Sequence, residues 1–210
     1  KGCDIGSFDI YPVTHDREAV TGKLEFVGNG VRRMIEWSGG HKPIWACIET
    51  GHVDNAAVRP TAAQVRQEVW MAITCGATGI VYFAHEFAPQ FVEAGLLAHP
   101  EIAAAVKDVN AEIRSFAEVL NGETLADTVT VRCKPEADVA VLCKRDGRDL
   151  IVFTASMTGA AVEATFTVKN GRGAAAVAVL GEDRTRPLKS GRFDDSFAAY
   201  AVHHYRIAAR

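Results

Sequence analysis

Two rhythms of apolar and polar positions run along this chain. In the first 122 residues, short apolar runs alternate with longer stretches in which apolar residues recur every three or four positions. "CDIGSFDIYPV" reads as a strand ended by Pro12, and "KLEFVGNGVRRMIEW" as a helix, weakened by Gly28 and Gly30 and closed by Gly39 and Gly40. "PIWACIE" is a second strand. In "TAAQVRQEVWMAITCG", Thr61 and Gln64 form a capping box, Val65, Val69, Ala72 and Ile73 make the apolar stripe, and Gly76 sits where a C-cap belongs. "ATGIVYFA" is a third strand. Pro100 then opens a long helix with Ile102, Val106, Val109, Ile113, Phe116 and Leu120 on one face, ended by Asn121-Gly122. Strand–helix alternation of this kind predicts βαβ units around a parallel sheet.

From about Asp127 the rhythm shortens. "TVTVRC", "DVAVLCKR", "DLIVFTAS", "VEATFTV", "AAVAVL" and "YAVHHYRI" are short strands, with the turn dipeptides Asp146-Gly147 and Asn170-Gly171 between some of them. They predict an antiparallel β-sandwich. The expected fold is therefore α/β plus all-β: a partial, half-type (β/α) barrel over 1–122 and a sandwich over 123–210. The barrel part is incomplete, because three βα units do not close a barrel that needs eight. A three-stranded parallel sheet with two apolar faces leaves its flanks unpaired, which predicts a homo-oligomer, dimer or tetramer.

Composition narrows the partners without naming one. Net charge is −3 and the pI is about 6.2, so no basic footprint for nucleic acid exists. No run approaches a membrane span. The five cysteines, Cys3, Cys47, Cys75, Cys133 and Cys143, form no CxxC pair and read as buried free thiols. Neither an initiator Met nor a signal peptide precedes the first strand, which points to a processed or truncated product. The compartment stays open, a secreted or periplasmic precursor included.

Chemistry in parallel α/β folds gathers at the carboxyl ends of strands. The first strand ends with Ser7, Asp9 and Tyr11, which alternation puts on one face. An apolar run ends on Glu49, with His52 and Asp54 beyond it. The third strand ends in Tyr82, His85, Glu86 and Phe87. Glu49 has three readings: a catalytic carboxylate, a metal ligand, or a solvated strand end contributing little packing. The convergence with Asp9, Tyr11 and Glu86 favours the first. His52 and His85 lack an HxH or HExxH spacing, so no metal and no other cofactor is expected. "GNG" at Gly28–Gly30 lacks phosphate-loop spacing, and no GxSxG elbow supports an esterase. In the sandwich no cluster of acids or histidines stands out, and His203 and His204 fall on opposite faces.

"FDIYP", "KPIWACIET", "RPTAAQVRQEVWMAITCGATGIVYFAHEF" and "RFDDSFAAYAVHHYRI" together resemble the last part of a (β/α)8-barrel glycoside hydrolase of the β-galactosidase and cellulase clan, with its C-terminal sandwich. The resemblance implies that the three strands correspond to barrel strands six to eight. Glu49 would then be the nucleophile acting on β-linked oligo- or polysaccharide, with Tyr11 hydrogen-bonded to it. The family's acid/base glutamate belongs to a strand absent here. Two carboxyl groups are needed, about 5–5.5 Å apart for retention and about 6.5–9.5 Å for inversion. Glu86 and Asp9 are the candidates for the second, or another polypeptide supplies it. Tyr11, His52, Tyr82, His85 and Phe87, with Phe91 beside them, would contact sugar. The alternative is a non-catalytic carbohydrate-binding or assembly module.

Overall fold

The structure is a computed structural model and describes residues 2–169 and 175–208. The chain divides into two compact units, Lys1–Ile113 and Arg114–Arg210. The division falls inside a helix, earlier than the Asn121-Gly122 signal.

In the first unit, β1 (Gly6–Asp9), α1 (Glu25–Trp37), β2 (Ile44–Glu49), α2 (Ala62–Thr74) and β3 (Gly79–Phe83) follow one another, then the short α3 (Gly95–Ala98) and α4 (Pro100–Ser115). The strands form a parallel sheet in the order β1-β2-β3, with Asp9 opposite Cys47 and Glu49 opposite Phe83. The sheet is open, and it does not close into a barrel among the described residues.

Alternation along β2 explains its burial. Ile44, Ala46 and Ile48 are buried on the face against which α1 and α2 pack, whereas Trp45 is 38% exposed on the other. The same second face carries Val81, 39% exposed, and Asp9. The capping box forms: Gln64 N–H donates to Thr61 Oγ1 at 3.2 Å, and Thr61 N–H to Gln64 Oε1 at 2.9 Å. Gly30 of α1 exists for contact, since a Cβ there would lie 1.8 Å from the Phe8 ring. That close approach, not phosphate binding, accounts for the glycine.

The second unit contains α5 (Ala117–Leu120) and eight strands: β4 (Val129–Lys134), β5 (Val139–Asp146), β6 (Asp149–Ser156), β7 (Val162–Val168), β8 (Ala176–Val179), β9 (Arg184–Pro187), β10 (Arg192–Phe197) and β11 (Val202–Ile207). They form two antiparallel sheets, β10-β7-β4 and β5-β6-β11-β8-β9. The inner faces of both meet in one cluster that includes Phe166, Phe193, Phe197, Val152 and Tyr205. Asp146-Gly147 makes the β5–β6 turn, with Gly147 at φ +58°; Asn170-Gly171 lies outside the described residues.

Three expectations change here. The long helix breaks after Ser115, because Phe116 turns its ring onto Phe153 and His204 at 5.2 and 5.7 Å between centroids. β9 and β10 are strands that apolar runs did not reveal. The cysteines are free, yet Cys3 is exposed and Cys47 and Cys133 half-buried, so only Cys75 and Cys143 behave as core residues.

Candidate functional site

Glu49 ends β2 as expected, but its carboxylate is fully buried. The loop after β1 folds over it. Val13 and Thr14 donate backbone N–H groups to Oε1 and Oε2 at 2.6 and 3.0 Å, and the Thr14 hydroxyl donates to Oε2 at 2.7 Å. Behind it stands Glu68 of α2, also fully buried, and the Glu49 charge acts on its carboxyl. Burial pushes the Glu49 carboxyl above its ordinary value, although the bonds from Thr14 and Val13 pull it back in part. Glu49 is thus not a strand end with little packing. It is the acceptor that holds a loop down.

Glu86 is also locked. Arg59 donates to its Oε1 through Nη2 at 2.6 Å and Nε at 3.2 Å, and His99 Nε2 lies 3.4 Å away. Burial raises the Glu86 carboxyl, but Arg59's hydrogen bonds and charge, with the His52 N–H and His99, outweigh it and hold the group below its ordinary range. Gly51 and Gly95 make room for it: a Cβ on either would lie 2.7 or 2.4 Å from Glu86 Cγ. Glu86 therefore ties together the loops after β2 and β3.

Asp9 is the exposed member of the three carboxylates. Tyr11, implied as a partner of Glu49, instead donates its hydroxyl to Asp9 at 3.3 Å and to Cys47 Sγ at 3.7 Å. Burial, then Cys47 and Asp9, pushes the phenol upward. His52 Nδ1 meets the carbonyls of Val58 and Asn55 at 2.7 and 3.1 Å, bracing its own loop. His85 Nδ1 contacts the Glu93 carbonyl at 2.5 Å. Tyr82 leaves the rim. Alternation puts it with Ile48 on the helix-covered face, where its hydroxyl donates to Asn110 at 2.8 Å.

The rim is aromatic. Phe83, Phe87, Phe91 and His85 form a closed ring of contacts with centroids 5.6–5.7 Å apart, and Tyr11 joins Phe83 at 5.1 Å. Phe87 and Phe91 are 50% and 59% exposed.

Sequence reasoning missed Glu68, Thr14, Arg59, His99 and Phe83. Glu68 left a trace: it falls between Val65 and Val69 on the apolar stripe of α2, where a charged residue has no reason to be. His15, Asp16 and Asp54 also bring potential ligand atoms within 4.8 Å of one another. Asp54 is remote from the other two in sequence, so no spacing could announce the group.

No protein-family model and no curated protein matches the chain. Solved structures do. AmyP in complex with maltose is similar at TM-score 0.55 and 11% identity, covering 97% of this chain and 55% of its own. The α-amylase of Geobacillus thermoleovorans, complexed with acarbose, gives TM-score 0.56 at 12% identity, over 89% and 47%. CelM2, a bifunctional glucanase-xylanase from a metagenome library, gives 0.50 at 13%, over 99% and 44%. The chain shares the fold of these proteins and spans about half their length.

Proposed function

We propose that this chain handles carbohydrate as a portion of a glycoside-hydrolase-type protein, binding an oligo- or polysaccharide on the band formed by Tyr11, Phe83, Phe87 and Phe91. The observation that carries this is the exposure of Phe87 and Phe91 at the carboxyl edge of the parallel sheet. A pyranose ring presents a flat C–H face that packs on such rings, and its rim hydroxyls find Asp9 and the Tyr11 hydroxyl beside them. The fold likeness to proteins crystallised with maltose and acarbose supports a sugar. CelM2 favours testing β-linked glucan and xylan beside the α-linked series.

Hydrolysis is the second reading, supported by the same fold likeness and by Glu49 at the end of β2. Here Glu49 is the nucleophile and Asp9 the second carboxylate. Glu86 is the weaker candidate for that part, since its ion pair with Arg59 occupies it. Glu49 is fully buried beneath the 12–14 loop, so catalysis requires that loop to lift.

Calorimetric titration with malto-, cello- and xylo-oligosaccharides tests the first reading. One series should bind, and Phe87→Ala and Phe91→Ala should each weaken it about tenfold, the effect of losing about 1.4 kcal/mol. Failure of all three series to bind, or binding indifferent to both substitutions, overturns it. Chromogenic α- and β-glycosides separate the second: turnover abolished in Glu49→Gln and reduced in Asp9→Asn supports hydrolysis, while binding without turnover leaves a non-catalytic module.

A further inference from the structure

Glu68 poses the sharpest problem in the molecule. Its carboxyl is fully buried, and neither oxygen meets a hydrogen-bond donor among the described residues. An ionised carboxylate so placed is strongly disfavoured. The charge acting on it is that of another carboxyl, Glu49, and two carboxyls in one dry site do not both ionise cheaply, so one of them keeps a proton. Glu49 already accepts from Val13 N–H, Thr14 N–H and the Thr14 hydroxyl, all of which favour its ionised form.

We infer that Glu49 and Glu68 hold one proton between them, carried by Glu68, and that this pair latches the 10–14 loop, with Tyr11, against the carboxyl end of β2. Glu68 stands behind Glu49, Glu49 accepts from the loop, and Tyr11 two residues before Val13 packs on Phe83. The latch would thereby set the position of one ring of the aromatic band. Like charges so close cannot both ionise cheaply in a dry site.

The surroundings reinforce this. Burial pushes Glu68 well above its ordinary value, and the charge of Glu49 adds to it. Arg59, the cation of the loop after β2, is engaged by Glu86 and His99, and Arg66 of α2 by Glu112 at 2.7 Å. The loop donors themselves are uncharged. A carboxyl whose native value is raised binds its proton more tightly folded than unfolded. Its contribution to stability is complete below the ordinary carboxylate value and declines as pH rises from there toward the native value.

Infrared spectroscopy reads the proton directly. At about pH 8, where free carboxyls are ionised, the native chain should show the C=O stretch of a buried carboxylic acid. Glu68→Gln should lose it. That variant keeps the shape and can donate its amide to Glu49, so it should fold. Its thermal midpoint should change less from about pH 5 to pH 9 than that of the native chain, which falls. A native chain without the band, or midpoints that run parallel in both proteins, overturns the shared proton. Oligosaccharide affinity that changes with pH in the native chain and not in Glu68→Gln ties the latch to Tyr11. That arm rests on the sugar-band reading, whereas the infrared arm does not, so the two fail separately. A band with no such change in affinity would keep the shared proton and remove the link to the rim.

Discussion

Replacing one oxygen of Glu49 by an amide nitrogen leaves the loop donors one acceptor short. Val13 N–H uses Oε1, and both groups of Thr14 use Oε2, so the new NH2 group must face at least one of them. Glu49→Gln should therefore lower stability by about 1–3 kcal/mol, the cost of a buried unsatisfied group, visible as a lower urea midpoint. An unchanged midpoint would mean that the loop does not depend on this carboxylate. Arg59→Gln tests the other locked acid. It strands Glu86, and because Arg59 is partly exposed the loss should be about 2–3 kcal/mol. Glu86 is held below its ordinary range, so its contribution is present above the ordinary carboxylate value and disappears as pH falls through its native one. Native stability should thus fall in acid, and Arg59→Gln should blunt that fall.

Among the elements, β9 and β10 are joined by a single backbone bridge, Lys189 with Arg192, and by side chains. They sit at the edges of different sheets, and Asp195 of β10, buried, links them. Arg184 Nη1 donates to both its oxygens at 2.8 Å, Arg186 donates to Oδ1 at 2.5 and 2.8 Å, and the Tyr205 hydroxyl of β11 donates to Oδ2 at 2.9 Å. Glu182 and His203 extend the group, 2.5 Å apart. This cluster corrects the expectation that the sandwich holds none. Burial raises Asp195, but its bonds to Arg184, Arg186 and Tyr205 outweigh it and keep the carboxyl below its ordinary range. Asp195→Asn should destabilise the second unit by about 3 kcal/mol or more. The three tryptophans, Trp37, Trp45 and Trp70, all lie in the first unit. The variant should therefore shift the far-ultraviolet circular dichroism transition while tryptophan fluorescence keeps its native midpoint. A shift of both together would show that the units unfold as one. His203 and His204 meet different neighbours, Glu182 and the rings of Phe153 and Phe116, as opposite faces require.

At the scale of the whole molecule, the parallel sheet of the first unit has one covered face. Trp45 and Val81 remain more than a third exposed on the other, and among the described residues β1 and β3 each pair along one edge only. None of the described helices is long and apolar enough to cross a membrane. We propose that the chain associates through that uncovered face, as a homodimer or dimer of dimers, with an apolar interface. Light scattering over a hundredfold dilution should show a species heavier than the 22.6 kDa chain, and a soluble monomer throughout would rule this out.

The sequence by itself determined the strand–helix alternation of β1 to β3, the capping box, the parallel start and the antiparallel finish, though not β9, β10 or the break in the long helix. What it determined follows from local periodicity and turn chemistry, which act over a few residues. It also placed Glu49 and Asp9 at strand ends and Glu86 in the loop beyond one. The state of each carboxylate was decided by tertiary structure alone. Donors from Val13 and Thr14, far earlier in the chain, close over Glu49; Arg59 and His99 reach Glu86 from two different loops; Asp9 keeps its exposure. Hydrogen bonding and desolvation depend on which distant groups arrive in space, and no periodicity encodes that. The same reason broke the helix at Phe116, whose ring turns onto Phe153 and His204.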